Sequence, residues 1–195
     1  MDQFTPVNIL DMIDSIGEDE LKHFLSDFSC LINPDIERFL LHDAIEFAKK
    51  KMSITYVVLD KNGKLAGYFT LTHKPITIEA RDLSNTTQKR LKRLARHDEN
   101  TNAYYSSAFL IAQFGKNARY ENSAFTGDIL MELTFSVLKC VQRNIGGNVV
   151  FLECGDTEKL TTFYESNRFA NFGKRFLDQS DETEENYLLQ YMRLF

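Results

Sequence analysis

Ile36, Phe39, Leu40, Ala44, Phe47 and Ala48 recur at the spacing of one helical face, directly behind Asn33-Pro34. Asn33-Pro34 is a helix-start signal, so residues 34 to 51 are expected to form an amphipathic helix. A shorter helix is expected ahead of it, over Glu18 to Phe28. Ile54 to Leu59 and Leu65 to Leu71 are instead β-branched and aromatic runs, separated by Asp60-Lys61-Asn62-Gly63. Two such runs on either side of a strong turn signal predict a β-hairpin.

Residues 82 to 97 interrupt the strand pattern with a basic stretch of good helix formers, which predicts a surface helix inserted at about 81–102. Tyr104 to Phe114 resumes a strand. Leu130, Leu133, Val137, Leu138 and Val141 repeat on one helical face, and the Gly146-Gly147 pair closes that element. Val149 to Leu152 is a short continuous apolar run, the pattern of a strand buried on both faces. Asp156 is placed to cap a helix in which Leu160, Phe163 and Tyr164 share a face. Phe169 to Phe176 and Tyr187 to Phe195 then read as two strands joined by an acidic loop. The order is helices first, then three strands, a helix, a strand, a helix and two strands. A strand-helix-strand passage through residues 104 to 152 implies parallel pairing by a right-handed crossover, and the flanking hairpins imply antiparallel edges. An α/β chain with a mixed sheet and helices on both faces follows.

A chain of 195 residues, 43% of them hydrophobic, can bury one sizeable core, so a single domain over 1–195 is expected. Met1 to Leu10 has no basic cluster ahead of an apolar run, and no apolar stretch approaches the roughly 20 residues needed to span a bilayer. No membrane contact and a cytoplasmic location are therefore expected. Cys30, Cys140 and Cys154 are odd in number and widely spaced, which points to free thiols. His23, His42, His73 and His97 lack metal-ligand spacing, so no metal is expected. The net charge of −5 offers no global attraction for a phosphate backbone. Its distribution is lopsided: Arg81, Lys89, Arg90, Lys92, Arg93 and Arg96 face only Asp82 within residues 81 to 96. Asp178, Asp181, Glu182, Glu184 and Glu185 form an acidic run near the C-terminus.

Leu110 to Asn117 reads Leu-Ile-Ala-Gln-Phe-Gly-Lys-Asn, and Ala118 to Leu130 follows with small residues at Ser123, Ala124, Thr126 and Gly127. This resembles the cofactor signature of the GNAT acetyltransferases, a strand followed by a glycine-rich loop that opens a helix. Glu121, Asn122 and Ala124 stand where that family prefers Gln/Arg, Gly and Gly, Thr126 reads as a one-residue insertion, and Gly127 is the one loop glycine. Backbone N–H groups at a helix start make an anion site, and small residues let a pyrophosphate approach. Downstream, Phe163-Tyr164-Glu165-Ser166-Asn167-Arg168-Phe169 resembles the family's Phe-Tyr-Glu-x-x-Gly-Phe signature, with Arg168 in place of a glycine that commonly supplies a positive φ. Residues 103 to 176 are similar to a bacterial and phage GNAT subgroup, and Gly67-Tyr68-Phe69-Thr70-Leu71 agrees with its hairpin.

The resemblance implies a central mixed sheet of six to seven strands, flanked by helices and splayed between strands 4 and 5. It implies acetyl-CoA as cosubstrate and direct transfer of acetyl to an amine. Main-chain groups of Phe114, Gly115 and Lys116 would hold the pantetheine, and the loop of Asn122, Ser123, Ala124, Phe125, Thr126, Gly127 and Asp128 the pyrophosphate. Tyr164 would protonate the departing thiolate. The fourth strand carries Tyr104, Tyr105, Ser106 and Ser107 but no carboxylate, leaving Glu153 and Glu79 as candidate bases acting through water. The implied acceptor is a small-molecule or peptide amine. With no obvious base, an α-amine of pKa about 8 fits better than a lysine amine of about 10.4. The alternatives are a tRNA-acetylating toxin of a toxin-antitoxin pair, which would contact tRNA through 81–96 against the acidic overall charge, and a non-catalytic acyl-CoA-binding protein of the same fold. A homodimer is compatible with the resemblance.

Overall fold

A computed structural model describes residues 3–177 and 186–195; the acidic run from Asp178 to Glu185 lies outside the described residues. The chain forms β1 (Phe4–Asn8), α1 (Ile9–Ile16), α2 (Glu18–Leu25), α3 (Pro34–Arg38), α4 (Ala44–Lys49), β2 (Ile54–Asp60), β3 (Leu65–Glu79) and α5 (Asn85–Leu91). It continues through β4 (Arg96–Asp98), β5 (Ala103–Lys116), α6 (Gly127–Ile145), β6 (Val149–Cys154), α7 (Glu158–Ser166), β7 (Ala170–Phe176) and β8 (Tyr187–Leu194). The strands hydrogen-bond in the order β1-β2-β3-β5-β6-β8-β7, with β4 paired to β5, so the sheet has eight strands. β5 and β6 are parallel, whereas β1–β2, β2–β3, β4–β5, β6–β8 and β7–β8 are antiparallel. No helix among the described residues is long and apolar enough to cross a membrane.

The chain packs as two compact units, Met1–Thr72 with Ile111–Asn144, and His73–Leu110 with Ile145–Phe195. In the first unit, Ile9, Leu21, Leu25, Leu40, Ala44 and Val57 are buried in one cluster. The predicted hairpin is present as β2 and β3, with a register shift between Val58 and Leu59. Two features depart from the sequence expectation. β1 precedes the helices and pairs with β2 from Phe4 opposite Asp60 to Asn8 opposite Tyr56, and its Pro6 is tolerated because β1 ends the strand order. The helix expected over 34 to 51 is α3 and α4 joined by a π-turn at Phe39–Asp43. The buried Tyr68 hydroxyl donates to the carbonyl of Ile36, which a straight helix would offer to Leu40, and a side chain entering the ladder in this way unwinds it locally.

In the second unit, Ile78, Leu91, Ala108, Val149, Phe151 and Met192 belong to one buried cluster. β6 carries the expected run of buried residues, Val149 to Leu152, and pairs with β8 from Val149 opposite Leu194 to Cys154 opposite Leu189. Against β5 its register is limited to Phe109 with Val150 and Leu110 with Phe151, although β6 runs on to Cys154 and β5 to Lys116. The parallel register thus comprises two rungs. Gly146 and Gly147 have φ of 79° and 104°, and a Cβ at Gly147 would meet Phe109 at 2.7 Å, so both glycines are needed where α6 turns into β6.

The basic insertion is helical only over Asn85–Leu91. Ser84 caps that helix by accepting from the Thr87 N–H at 3.2 Å, and Leu91 is fully buried. Arg96–Asp98 then turns back as β4, because Asp98 Oδ1 accepts from the Asn100 N–H at 2.9 Å and Asn102 adopts φ 51° to close the hairpin onto β5. The N-cap of α7 is Thr157, and the Asp156 carboxylate accepts from the Tyr187 hydroxyl at 2.7 Å.

Candidate active site

In the first unit, β5 ends in backbone so closely packed that two positions exclude a side chain. A Cβ at Gly67 would lie 2.8 Å from the Gly115 carbonyl oxygen, and one at Gly115 would lie 2.7 Å from Ile36 Cγ2. Phe114, Gly115 and Lys116 are held there, and the Lys116 ammonium donates to the Phe125 carbonyl at 3.0 Å. Asn117 follows, 6% exposed, with its side chain fully engaged. Its Oδ1 accepts from the N–H groups of Ser29 and Arg119, and its Nδ2 donates to the carbonyls of Asp27 and Leu65. This knot sets where the loop leaves the strand.

Along the loop, Tyr120 donates through its hydroxyl to Asp60 at 3.0 Å, and the Lys64 and Asn62 N–H groups together with that hydroxyl hold the Asp60 carboxyl below its ordinary range. Asn122 accepts from the Ala124 N–H through its side chain and from the Phe125 N–H through its carbonyl, both at 3.0 Å. Phe125 is 2% exposed and packs on Phe4 with ring centroids 4.7 Å apart. Asn122, Ser123, Ala124, Thr126 and Asp128 are exposed, and Gly127 is half-buried at the first position of α6. Thr126, which reads as an insertion in the sequence, is the helix cap: its hydroxyl accepts from the Ile129 N–H at 3.3 Å. The loop therefore brings small exposed residues to the first turn of a 19-residue helix, where outward N–H groups and the helix dipole favour an anion. Phe125 serves as the apolar anchor of that loop.

In the second unit, Tyr164 is 7% exposed and contacts the rings of Phe163, Phe169 and Tyr191 at centroid distances of 5.2, 6.0 and 6.0 Å. Burial, reinforced by Cys154, pushes its phenol well above the ordinary tyrosine value, so the hydroxyl stays protonated. No described residue hydrogen-bonds to that hydroxyl. Cys154 is itself pushed up to about 11 by burial and by Asp156. The end of α7 is a Schellman motif: the Phe169 N–H donates to the Tyr164 carbonyl at 3.0 Å and the Arg168 N–H to the Glu165 carbonyl at 2.9 Å. Arg168 adopts φ 65°, so the positive-φ turn is kept without glycine.

Glu153 has both carboxylate oxygens engaged, one accepting from Arg175 Nε at 2.8 Å and the other from Gln190 Nε2 at 2.9 Å. The three residues border a cavity of about 440 Å³ whose apolar lining includes Ile76, Leu110, Phe151 and Phe172. A bulge in β7 shapes it. Asn171 pairs with Tyr191 and Gly173 with Gln190, so Phe172 is the extra residue, and Gly173 adopts φ 150° beside it. Glu79 lies exposed at the end of β3, outside the lining of this cavity.

All six cations of the basic stretch are exposed. Arg81 is 4.0 Å from Asp82, whereas Lys89, Arg90, Lys92, Arg93 and Arg96 make no ion pair among the described residues.

This fold is that of the GNAT acetyltransferases. No family model matches the sequence, and no curated protein matches it. Solved structures do. AtaT complexed with acetyl-methionyl-tRNAfMet is 17% identical, over 95% of this chain and 93% of that one, with a TM-score of 0.64. A bacterial toxin is 15% identical over 100% and 92%, with a TM-score of 0.65. A tyrosine-to-phenylalanine mutant of KacT is 18% identical over 96% and 94%, with a TM-score of 0.62.

Proposed function

We propose that this chain is an acetyl-CoA-dependent N-acetyltransferase acting on the α-amine of an aminoacylated tRNA. The observation that carries the acceptor is the basic stretch, with five exposed cations lacking ion pairs on a chain of net charge −5. The likeness of fold to AtaT, solved with acetyl-methionyl-tRNAfMet, supports the same reading. Lys89, Arg90, Lys92, Arg93 and Arg96 would contact phosphates. A local cluster can attract a polyanion that the whole molecule repels, because screening at physiological salt limits the reach of distant charges to about 8 Å. The setting is the cytoplasm, where aminoacylated tRNA is found.

The backbone of Phe114, Gly115 and Lys116 would hold the pantetheine, and residues 122 to 128 the pyrophosphate at the start of α6. Acetyl-CoA supplies an activated acyl carbon. The amine nitrogen bonds to that carbon, the C–S bond breaks, Tyr164 gives its proton to the departing sulfur, and the amine proton passes to water, which returns a proton to Tyr164. Glu153 is assigned to orienting Arg175 and Gln190, since both of its oxygens accept hydrogen bonds. An aminoacyl α-amine needs little help from a base, its reference pKa being about 8.

Labelled acetyl-CoA incubated with aminoacylated and deacylated tRNA tests the assignment. Label is expected on the aminoacylated tRNA alone, and reversal of Lys89, Arg90, Lys92 and Arg93 to glutamate is expected to weaken tRNA binding and flatten its salt dependence. Transfer to small amines but not to tRNA would overturn the acceptor. Acetyl-CoA binding with no transfer to any amine would overturn the catalytic reading.

A further inference from the structure

Beside the basic stretch lies a second cavity, of about 420 Å³, bounded by Arg96, Tyr105, Ser106, Ser107 and the Pro75–Thr77 segment of β3. Arg96 and Tyr105 are directly opposite one another in the β4–β5 register, and such partners place their side chains next to each other on one face. Tyr105 is 40% exposed, and its hydroxyl approaches Thr101 Oγ1 at 3.5 Å. The next rung anchors the pair: His97 is opposite Tyr104, the two rings are 4.6 Å apart, and Tyr104 is fully buried. An exposed aromatic face and an unpaired guanidinium are thus presented side by side by a hairpin fastened into the core. The Pro75–Thr77 segment also lines the Glu153 cavity, so the two cavities adjoin.

We propose that the Arg96–Tyr105 cavity is a subsite for an unstacked nucleotide at the single-stranded 3′ end of the tRNA, an inference that rests on the acceptor assigned above. Single-stranded RNA is recognised by stacking its splayed bases on aromatic rings and guanidinium planes, with cations on the neighbouring phosphates. Tyr105 supplies the ring and Arg96 the cation. Arg93 and Lys92, three and four residues before Arg96 in the chain, continue the positive charge away from the cavity. A base paired within a duplex keeps its faces stacked and cannot use the Tyr105 ring. The segment of tRNA that carries the reacting amine is unpaired and can.

Fluorescence anisotropy at physiological salt tests this with intact tRNA and with tRNA trimmed of its unpaired 3′ nucleotides. Wild type is expected to bind intact tRNA more tightly than trimmed. Tyr105→Ala is expected to weaken binding of intact tRNA about tenfold and to leave the trimmed form unchanged, while Tyr105→Phe, which keeps the stacking face, stays within about twofold of wild type. The wild-type comparison needs no variant and stands if Tyr105→Ala folds poorly. Wild type binding both tRNAs equally, or Tyr105→Ala matching wild type on intact tRNA, overturns the subsite while leaving the acceptor assignment in place. A wild type with no tRNA affinity overturns the acceptor assignment and this subsite with it.

Discussion

Replacing Tyr164 with phenylalanine separates chemistry from packing because of what the structure surrounds it with. The ring is buried and touches Phe163, Phe169 and Tyr191, contacts that phenylalanine keeps. Its hydroxyl has no partner among the described residues, so no intramolecular hydrogen bond is lost and stability is expected to stay within about 0.5 kcal/mol of wild type. Tyr68→Phe is the internal control. Tyr68 donates to the Ile36 carbonyl from a fully buried position, and losing that bond is expected to cost about 0.5 to 1.5 kcal/mol without touching the chemistry. If Tyr164 protonates the thiolate, its Phe variant is expected to lose at least about 30-fold in turnover, or about 2 kcal/mol of transition-state stabilisation, with acetyl-CoA affinity within a few fold. Because burial raises its pKa, the donor form persists through and beyond the ordinary tyrosine value of about 10. Wild-type activity should therefore show no alkaline loss from this group below about pH 10. Urea denaturation reads the stability of each variant, and single-turnover transfer reads the chemical step. A Tyr164→Phe enzyme that transfers acetyl at nearly the wild-type rate with chemistry limiting would make Tyr164 a packing residue and leave protonation to water.

Arg168→Gly is expected to stabilise the protein. A non-glycine residue at positive φ costs about 1 to 2 kcal/mol, the added unfolded-state freedom of glycine returns about 0.4 to 1, and the like charge of Arg168 beside Arg193 is removed. The net gain of about 0.5 kcal/mol corresponds to a rise of about 1 to 2 °C in Tm, measurable by calorimetry, and a fall in Tm would show that the arginine side chain contributes more than its backbone costs. Asn117→Ala removes two fully buried hydrogen bonds, to the Ser29 N–H and the Leu65 carbonyl, besides two partly buried ones. It is expected to cost about 2 to 6 kcal/mol in urea denaturation, and a loss below about 1 kcal/mol would mean that water replaces the amide.

The elements legible in the sequence are those whose signals are local. The β2–β3 hairpin follows from two β-branched runs and a turn between them, and α6 from one apolar face ended by Gly146-Gly147. β6 follows from four consecutive buried residues. The Phe163 to Phe169 segment and the loop before α6 were readable as motifs because their residues are contiguous, and even the turn at Arg168 keeps the positive φ that the motif's glycine would supply. Tertiary structure decided what distant partners supply. β1 is five residues long and contains a proline, and it is a strand because β2 offers it an edge. The helix over 34 to 51 is broken because a tyrosine 32 residues beyond Ile36 takes part in its hydrogen bonding. The basic stretch became a short helix and a strand because β5 offered Arg96–Asp98 backbone partners that helical propensity does not register. Asn117 is an ordinary polar residue in the sequence, and its importance lies in partners up to 90 positions away. The same holds for Glu153, whose carboxylate partners, Arg175 and Gln190, lie 22 and 37 positions on in the chain. Local pattern specifies what a segment can be; long-range hydrogen bonds and packing select which of those states is stable and which polar groups remain free to react.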